Sequence, residues 1–283
     1  ILFFASLSAL IALWQITTGS PVFSGRTLST RGDFFRANGF FNNAMTYGHS
    51  MAQILPIAFA LTIGQIAKRT RPLQFFFYAL SLSLITLGSI STFTRGAWLA
   101  CAFGCGYILL LKLKFKNFLR LVLWGSVLLV LVLIFTPKFT DALVGMFTHY
   151  KANIGRIKIW QVYWQVFLDH PLIGAGYHAF DYVAPRYFTS LRIHGEVFTH
   201  AHNNFLQFLA GSGILGLLSY LTFISYPFYA GFKKLKNISN ESATTIYGLL
   251  GSQIAFHVGG LTECNFNDSE VKYFYLLIAA LII

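Results

Sequence analysis

The sequence predicts an all-α fold, a polytopic transmembrane helix bundle, and three observations carry that prediction. Of its 283 residues, 55% are hydrophobic and only 11% charged, where a soluble domain carries roughly a quarter charged. Several apolar runs approach or reach the ~20 residues that a helix needs to cross a bilayer. The runs are continuous rather than alternating, which favours helices over the strands of a barrel. The same observations exclude an ordinary soluble enzyme and a disordered chain.

Taken in order, the runs predict helices over about 1–17, 46–67, 73–92, 97–112, 119–136, 204–230, 244–262 and 271–283. Three connections are short and basic: Lys68-Arg69-Thr70-Arg71, the stretch Lys112, Lys114, Lys116 and Arg120, and Lys233-Lys234-Leu235-Lys236. The positive-inside rule puts all three in the cytoplasm. The remaining connections, 18–45, the tight turn near Arg95, 137–203 and 263–270, then alternate to the opposite side without conflict. The whole of 1–283 reads as one transmembrane domain with the outer-side loop 137–203 inserted in it. Because it begins at Ile1 without methionine and stops inside an apolar run, the chain is expected to be a fragment of a longer protein.

The loop 137–203 has a pattern of its own. Ile154, Ile157, Trp160, Tyr163, Trp164 and Phe167 recur at helical spacing, as in an amphipathic helix lying at the interface with its rings at head-group depth. His170-Pro171-Leu172-Ile173-Gly174-Ala175-Gly176 then breaks it.

The net charge is +12, from 21 Lys and Arg against 9 Asp and Glu. These basic residues lie in loops between apolar runs and form no single hydrophilic face, so membrane lipids and not nucleic acid are the expected partners. Ten of them fall on the outer side: Arg26, Arg31, Arg36, Arg95, Lys138, Lys151, Arg156, Lys158, Arg186 and Arg192. Long loops translocate regardless of charge. The alternative is an anion site, since guanidinium groups grip phosphate oxygens in pairs of hydrogen bonds. Cys101, Cys105 and Cys264 suggest no disulfide framework.

Three residues stand out as candidates. Arg95 follows Ser91-Thr92-Phe93-Thr94 and precedes Gly96; it either snorkels at a helix end or sits in a hydroxyl-rich anion cradle. Arg156, after Gly155 at the expected start of the interfacial helix, either meets a lipid phosphate or uses the helix N-terminus to hold an anionic ligand. His202, in His200-Ala201-His202-Asn203-Asn204, is either a polar helix-start residue or a general base for a sugar hydroxyl. Asn203, Asn204 and Gln207 could orient its ring or hold sugar hydroxyls, and nearby arginines would keep the imidazole neutral. The eight histidines show no convincing metal spacing beyond the weak pair His200 and His202. Glu263, Asp268 and Glu270 share one outer loop, either solvated or binding a sugar or the arginines. No Walker or dinucleotide fingerprint is present.

With these residues in view, the chain resembles the O-antigen ligase and O-antigen polymerase superfamily. His202-Asn203, nine residues, Gly213, two residues and Gly216 match its H-[NSQ]-x9-G-x-x-G pattern. Thr94-Arg95-Gly96 is similar to its Arg-Gly motif, and Arg156 through Trp160 to Gly176 to its periplasmic arginine segment. Arg36-Ala37-Asn38-Gly39-Phe40-Phe41-Asn42-Asn43 resembles its preceding outer loop. The resemblance implies an inner-membrane, metal-independent and cofactor-free glycosyltransferase of lipopolysaccharide biosynthesis. Its donor would be an undecaprenyl-pyrophosphate-linked glycan and its acceptor a hydroxyl of lipid A-core or another glycan, with inversion at the anomeric centre. Arg95 and Arg156 would hold the pyrophosphate and His202 would be the base, with Arg36, Asn203, Asn204 and Trp160 as further substrate-binding positions. A repeat-unit polymerase, a protein O-oligosaccharyltransferase, a lipid-linked sugar transporter and an assembly subunit remain alternatives. The enzymatic readings require Arg95, Arg156 and His202 to face one cavity.

Overall fold

Each of the eight apolar runs folds as a helix in the computed structural model, which describes residues 1–23, 27–66, 72–136, 140–141, 144, 150–177, 180–191 and 200–283. The five helices of the first half are α1 (Leu2–Thr18), α2 (Ala44–Ile66), α3 (Pro72–Ile90), α4 (Arg95–Lys112) and α5 (Phe115–Phe135). The long loop holds α6 (Tyr150–Asp169) and α7 (Phe180–Ser190); α8 (Asn204–Leu235), α9 (Asn240–Gly259) and α10 (Ser269–Ile282) follow. A two-residue hairpin between α1 and α2 pairs β1 (Thr30–Arg31) antiparallel with β2 (Phe34–Phe35). Neither the hairpin nor α7 is evident in the periodicity. By length and composition α2, α3 and α8 are apolar enough to cross a membrane, and α1 is apolar but shorter. This is an all-α membrane protein.

The centre of the bundle is α2, α4 and α9, brought close by small residues. A Cβ on Gly104 of α4 would stand 2.7 Å from both the Gly251 carbonyl oxygen and Pro56; a Cβ on Gly248 would stand 3.0 Å from the Ile57 backbone. Small faces of this kind let helices pack where lipid supplies no hydrophobic drive. By contrast α5 leaves Leu123, Trp124 and Phe135 at least 61% exposed. The bundle has two distinct ends. Lys112 lies over the Tyr247 ring and Gly64 meets Thr244 at one, whereas Gly96 meets Thr262 at the other. The basic stretch after Lys112 and the Lys233–Lys236 turn therefore share the end opposite Arg95. Residues 68–71 lie outside the described residues.

Two features differ from the sequence expectation. First, α6 packs through Ile159, Val162, Tyr163 and Val166 against Ala184 and Phe188 of α7 and Ala210 of α8, while Ile157 and Trp164 stay exposed. The helix carries apolar groups on two sides, so the recurring residues do not share one face: Tyr163 is buried in the packed side while Ile157 and Trp164 lie outside it. Second, α6 begins at Tyr150, which puts Arg156 well inside it. The helix-terminal field falls off within the first turn, so that terminus contributes little at Arg156.

The glycine motifs of the long loop and of α8 turn out to be one joint. Gly213 has φ 65° and ψ −167°, which interrupts α8, and Gly174 has φ 69°. A Cβ at Gly213 would collide with the Leu172 carbonyl, and one at Gly174 with the Gly211 backbone. Backbone N–H groups of Ala175 and Gly176 donate to Ala210 and Gly211, and that of Ile214 donates to Pro171 O. The kink frees these groups of α8, and the loop segment satisfies them.

Candidate functional site

Four arginines converge at the end of the bundle that holds Arg95. The turn between α3 and α4 is braced from outside: Arg36 donates from Nε to Thr92 O (2.8 Å) and from Nη2 to Thr94 Oγ1 (3.0 Å). Ala37 N–H donates to Ser91 O. The loop bearing Arg36 is itself fixed by Gln15 of α1, whose amide donates to Asn38 Oδ1 and accepts from the N–H groups of Asn38 and Gly39. Burial, with the charge of Arg31, pushes the Arg36 guanidinium down to about 10, which leaves it charged at neutral pH. Arg31, Arg36, Arg95 and Arg156 line a notch of about 70 Å³ with His49, Thr262 and Glu263. The charges of Arg156 and Arg31 act on Arg95. Arg31 Nε is buried there with no hydrogen-bond partner among the described residues.

His202 is set against a carboxylate. It has φ 48°, and its Nδ1–H donates to Glu263 Oε1 at 2.8 Å; an ionised carboxylate can only accept. His200 Nε2 is 3.3 Å from the same oxygen, the two imidazoles are 4.1 Å apart, and Cys264 N–H also donates to Oε1. Burial alone would raise the Glu263 carboxyl, but the hydrogen bonds and charges of His200 and His202 hold it well below the ordinary range. The expected arginine environment of His202 is thus replaced, at its Nδ1 face, by an acid 61 residues away in sequence. His200, His202 and Glu263 each place one ligand atom within 4.8 Å of the others, so the three could hold a metal ion.

The neighbours of His202 face inward and position it. Asn203 caps α8 by accepting from Leu206 N–H and donates to Leu261 O. Asn204 is buried; it donates to Asn265 Oδ1 and accepts from Phe266 N–H, which ties the start of α8 to the turn after α9. Trp160 Nε1–H donates to Ala201 O (2.9 Å), and Ala201 N–H donates to Gln207 Oε1 (2.9 Å). Both backbone groups of the residue before His202 are thereby held.

Beside the arginine notch lies a cavity of about 610 Å³, lined by amides and acids that include Asn42, Asn43, Asn267, Asp268 and Glu270. The two share Met45, His49 and Glu263. Arg95 and Arg156 line one cavity together, whereas His202 lines neither of these two cavities and meets their shared wall through its bond to Glu263. Arg186 and Lys158 are exposed on α7 and α6. Arg26, Lys138, Arg192, His149, His178 and His194, and the side chain of Lys151, lie outside the described residues. Sequence reasoning misses three contributors: Arg31, His49 and the pairing of Glu263. An acid directly after an apolar helix demands a partner, and that is the available signal for Glu263.

A family model described as O-antigen ligase matches residues 54–221, a range that holds Arg95, Arg156, His202 and Gly213. Arg31, Arg36, His49 and Glu263 fall outside the match. Comparison with curated proteins gave no match.

Proposed function

This chain belongs to the O-antigen ligase family, and we propose on that premise that it transfers a glycan from undecaprenyl pyrophosphate to a hydroxyl of lipid A-core at the periplasmic face of the bacterial inner membrane. The observation that carries the reading is the convergence of four guanidinium groups on one notch whose wall includes the carboxylate that holds His202. A buried Arg31 Nε without a partner among the described residues is a donor waiting for an anion. The guanidinium lining of this notch of about 70 Å³ suits phosphoryl oxygens.

In this mechanism Arg95 and Arg156, with Arg31, bind the diphosphate, and Arg36 holds the turn that presents Arg95. Glu263 accepts the Nδ1–H of His202, which fixes the tautomer that carries its lone pair on Nε2. The acceptor hydroxyl oxygen attacks the anomeric carbon as its proton passes to Nε2. The bond from that carbon to the phosphate oxygen breaks, and its electron pair leaves with the diphosphate. Negative charge grows on the leaving oxygen, where preorganised guanidinium groups stabilise it most. A single displacement inverts the anomeric centre, and the bond to diphosphate supplies the energy.

The test is transfer by the full-length protein in membranes supplied with an undecaprenyl-pyrophosphate glycan, to lipid A-core and separately without it. Transfer to the core that vanishes in His202→Ala is the expected result. Chain extension without the core would make the protein a polymerase. Donor binding with no transfer in either format would move the reading to a transporter.

A further inference from the structure

One polar side chain at the junction of the two cavities has no part in the scheme above. His49 on α2 is 4% exposed, lines both the arginine notch and the larger cavity, and makes no hydrogen bond among the described residues. Its ring occupies a slot between two helices that carry glycine there. A Cβ at Gly259 of α9 would come within 2.7 Å of its Nδ1, and one at Gly96 of α4 would come within 3.5 Å of its Cε1. A buried imidazole without a partner is costly, and nothing in packing an apolar helix core requires one.

His257 is the useful contrast. It is the same residue type, close to the slot on α9, and its two nitrogens are buried and unpartnered among the described residues. It sits in a box of aromatic rings from Tyr220, Phe228, Phe256 and Tyr275, and lines neither cavity. His49 alone of the two is open to a ligand.

The larger cavity supplies the rest of the chemistry. Asn43 Oδ1 accepts from Thr46 N–H, Asn267 Oδ1 from Tyr177 O–H, and the Asp268 carboxylate from Thr46 and Val271; their second lone pairs, the Glu270 carboxylate and the amide N–H groups can pair with hydroxyls. At about 610 Å³ it has the size of a small-molecule site. The guanidinium groups end at the shared wall. A molecule spanning the wall therefore meets cationic donors at one end and hydroxyl-matching groups at the other.

We infer that this cavity is a saccharide subsite and that His49 is a substrate-binding residue for the sugar next to the diphosphate. The imidazole hydrogen-bonds a hydroxyl or ring oxygen of that sugar where it adjoins the arginine notch. The inference rests on the glycosyl-transfer reading and adds where the sugar lies and what reads it.

The experiment uses the full-length protein in lipid nanodiscs and two probes, undecaprenyl pyrophosphate without sugar and the same lipid carrying a glycan. Dissociation constants are measured for wild type, His49→Ala and His49→Asn, with thermal unfolding of each. His49→Ala should bind the bare lipid within about twofold of wild type and the glycan-bearing lipid roughly tenfold more weakly, the value of one lost hydrogen bond. His49→Asn, which keeps polar atoms near the same place, should recover part of that loss. Equal weakening toward both lipids, or none toward either, overturns the inference. Should His49→Ala fail to fold, the same comparison on His49→Asn decides, since any loss confined to the glycan-bearing lipid supports the sugar contact and its absence refutes it. Wild-type protein that binds neither lipid would refute the glycosyl-transfer reading itself, a distinct failure.

Discussion

The arginine notch and the amide-lined cavity share His49 and Glu263 as a wall, yet they differ in charge, in size and in how the chain builds them. The notch gathers Arg31 from a two-residue hairpin, Arg36 from a loop, Arg95 from a helix start and Arg156 from the long loop's helix. The cavity draws on the start of α2 and on the turn that leads into α10. Opposite electrostatics across one wall suit a ligand that is anionic at one end and neutral but polar at the other. Under the proposed mechanism the difference also separates binding from chemistry, because His202, the proposed base, is held from the wall by Glu263 and not from among the arginines.

The largest expected effect is on proton transfer. His202→Ala should reduce glycan transfer by about 10²–10⁴-fold, the usual contribution of a positioned general base, while leaving the affinity for undecaprenyl pyrophosphate nearly unchanged. A comparable loss of lipid binding would mean that the two compartments are not separable.

Glu263→Gln should cost on the order of a hundredfold in transfer, since an amide can present its N–H to Nδ1 and select the wrong tautomer. The same variant sharpens the electrostatic side. Because the folded carboxyl lies below its ordinary value of 4.5, its contribution to stability is complete above that value and is lost as pH falls toward the folded one. Thermal midpoints taken downward from about pH 6 should fall more steeply for wild type than for Glu263→Gln.

On the cationic side, Arg95→Gln and Arg156→Gln should each weaken donor binding by roughly tenfold or more, as expected of a lost charge-assisted hydrogen bond. Lysine should restore only part of it, since an ammonium cannot reproduce the fork. Arg36→Gln acts one step away, through the turn at Thr92 and Thr94, and should cost only about fivefold, visible in donor KM. The smallest effect is expected from metal removal: a chelator should leave transfer within about twofold of its starting rate. Loss of activity that zinc restores would reassign His200, His202 and Glu263 as metal ligands.

The fold was largely legible because the constraint that makes the helices is local. In a membrane every backbone N–H and C=O must be satisfied within the segment, so a continuous apolar run is already a helix, and all eight runs fold that way. The places of Arg95 and His202 at helix starts were legible for a related reason: each stands where an apolar run begins. The packed face of α6 was not, because apolar residues on both sides give no direction without knowing what lies opposite.

By itself, then, the amino-acid sequence determined the eight apolar helices, the ends that carry the basic turns, and the identity of the charged and imidazole groups at the other end. Tertiary structure alone decided which of them meet. The bond from His202 to Glu263, the delivery of Arg31 by a short hairpin, and the slot that Gly96 and Gly259 leave for His49 each join segments far apart along the chain. Their contact depends on how α2, α4 and α9 close on one another, and no periodicity within any one segment encodes that distance.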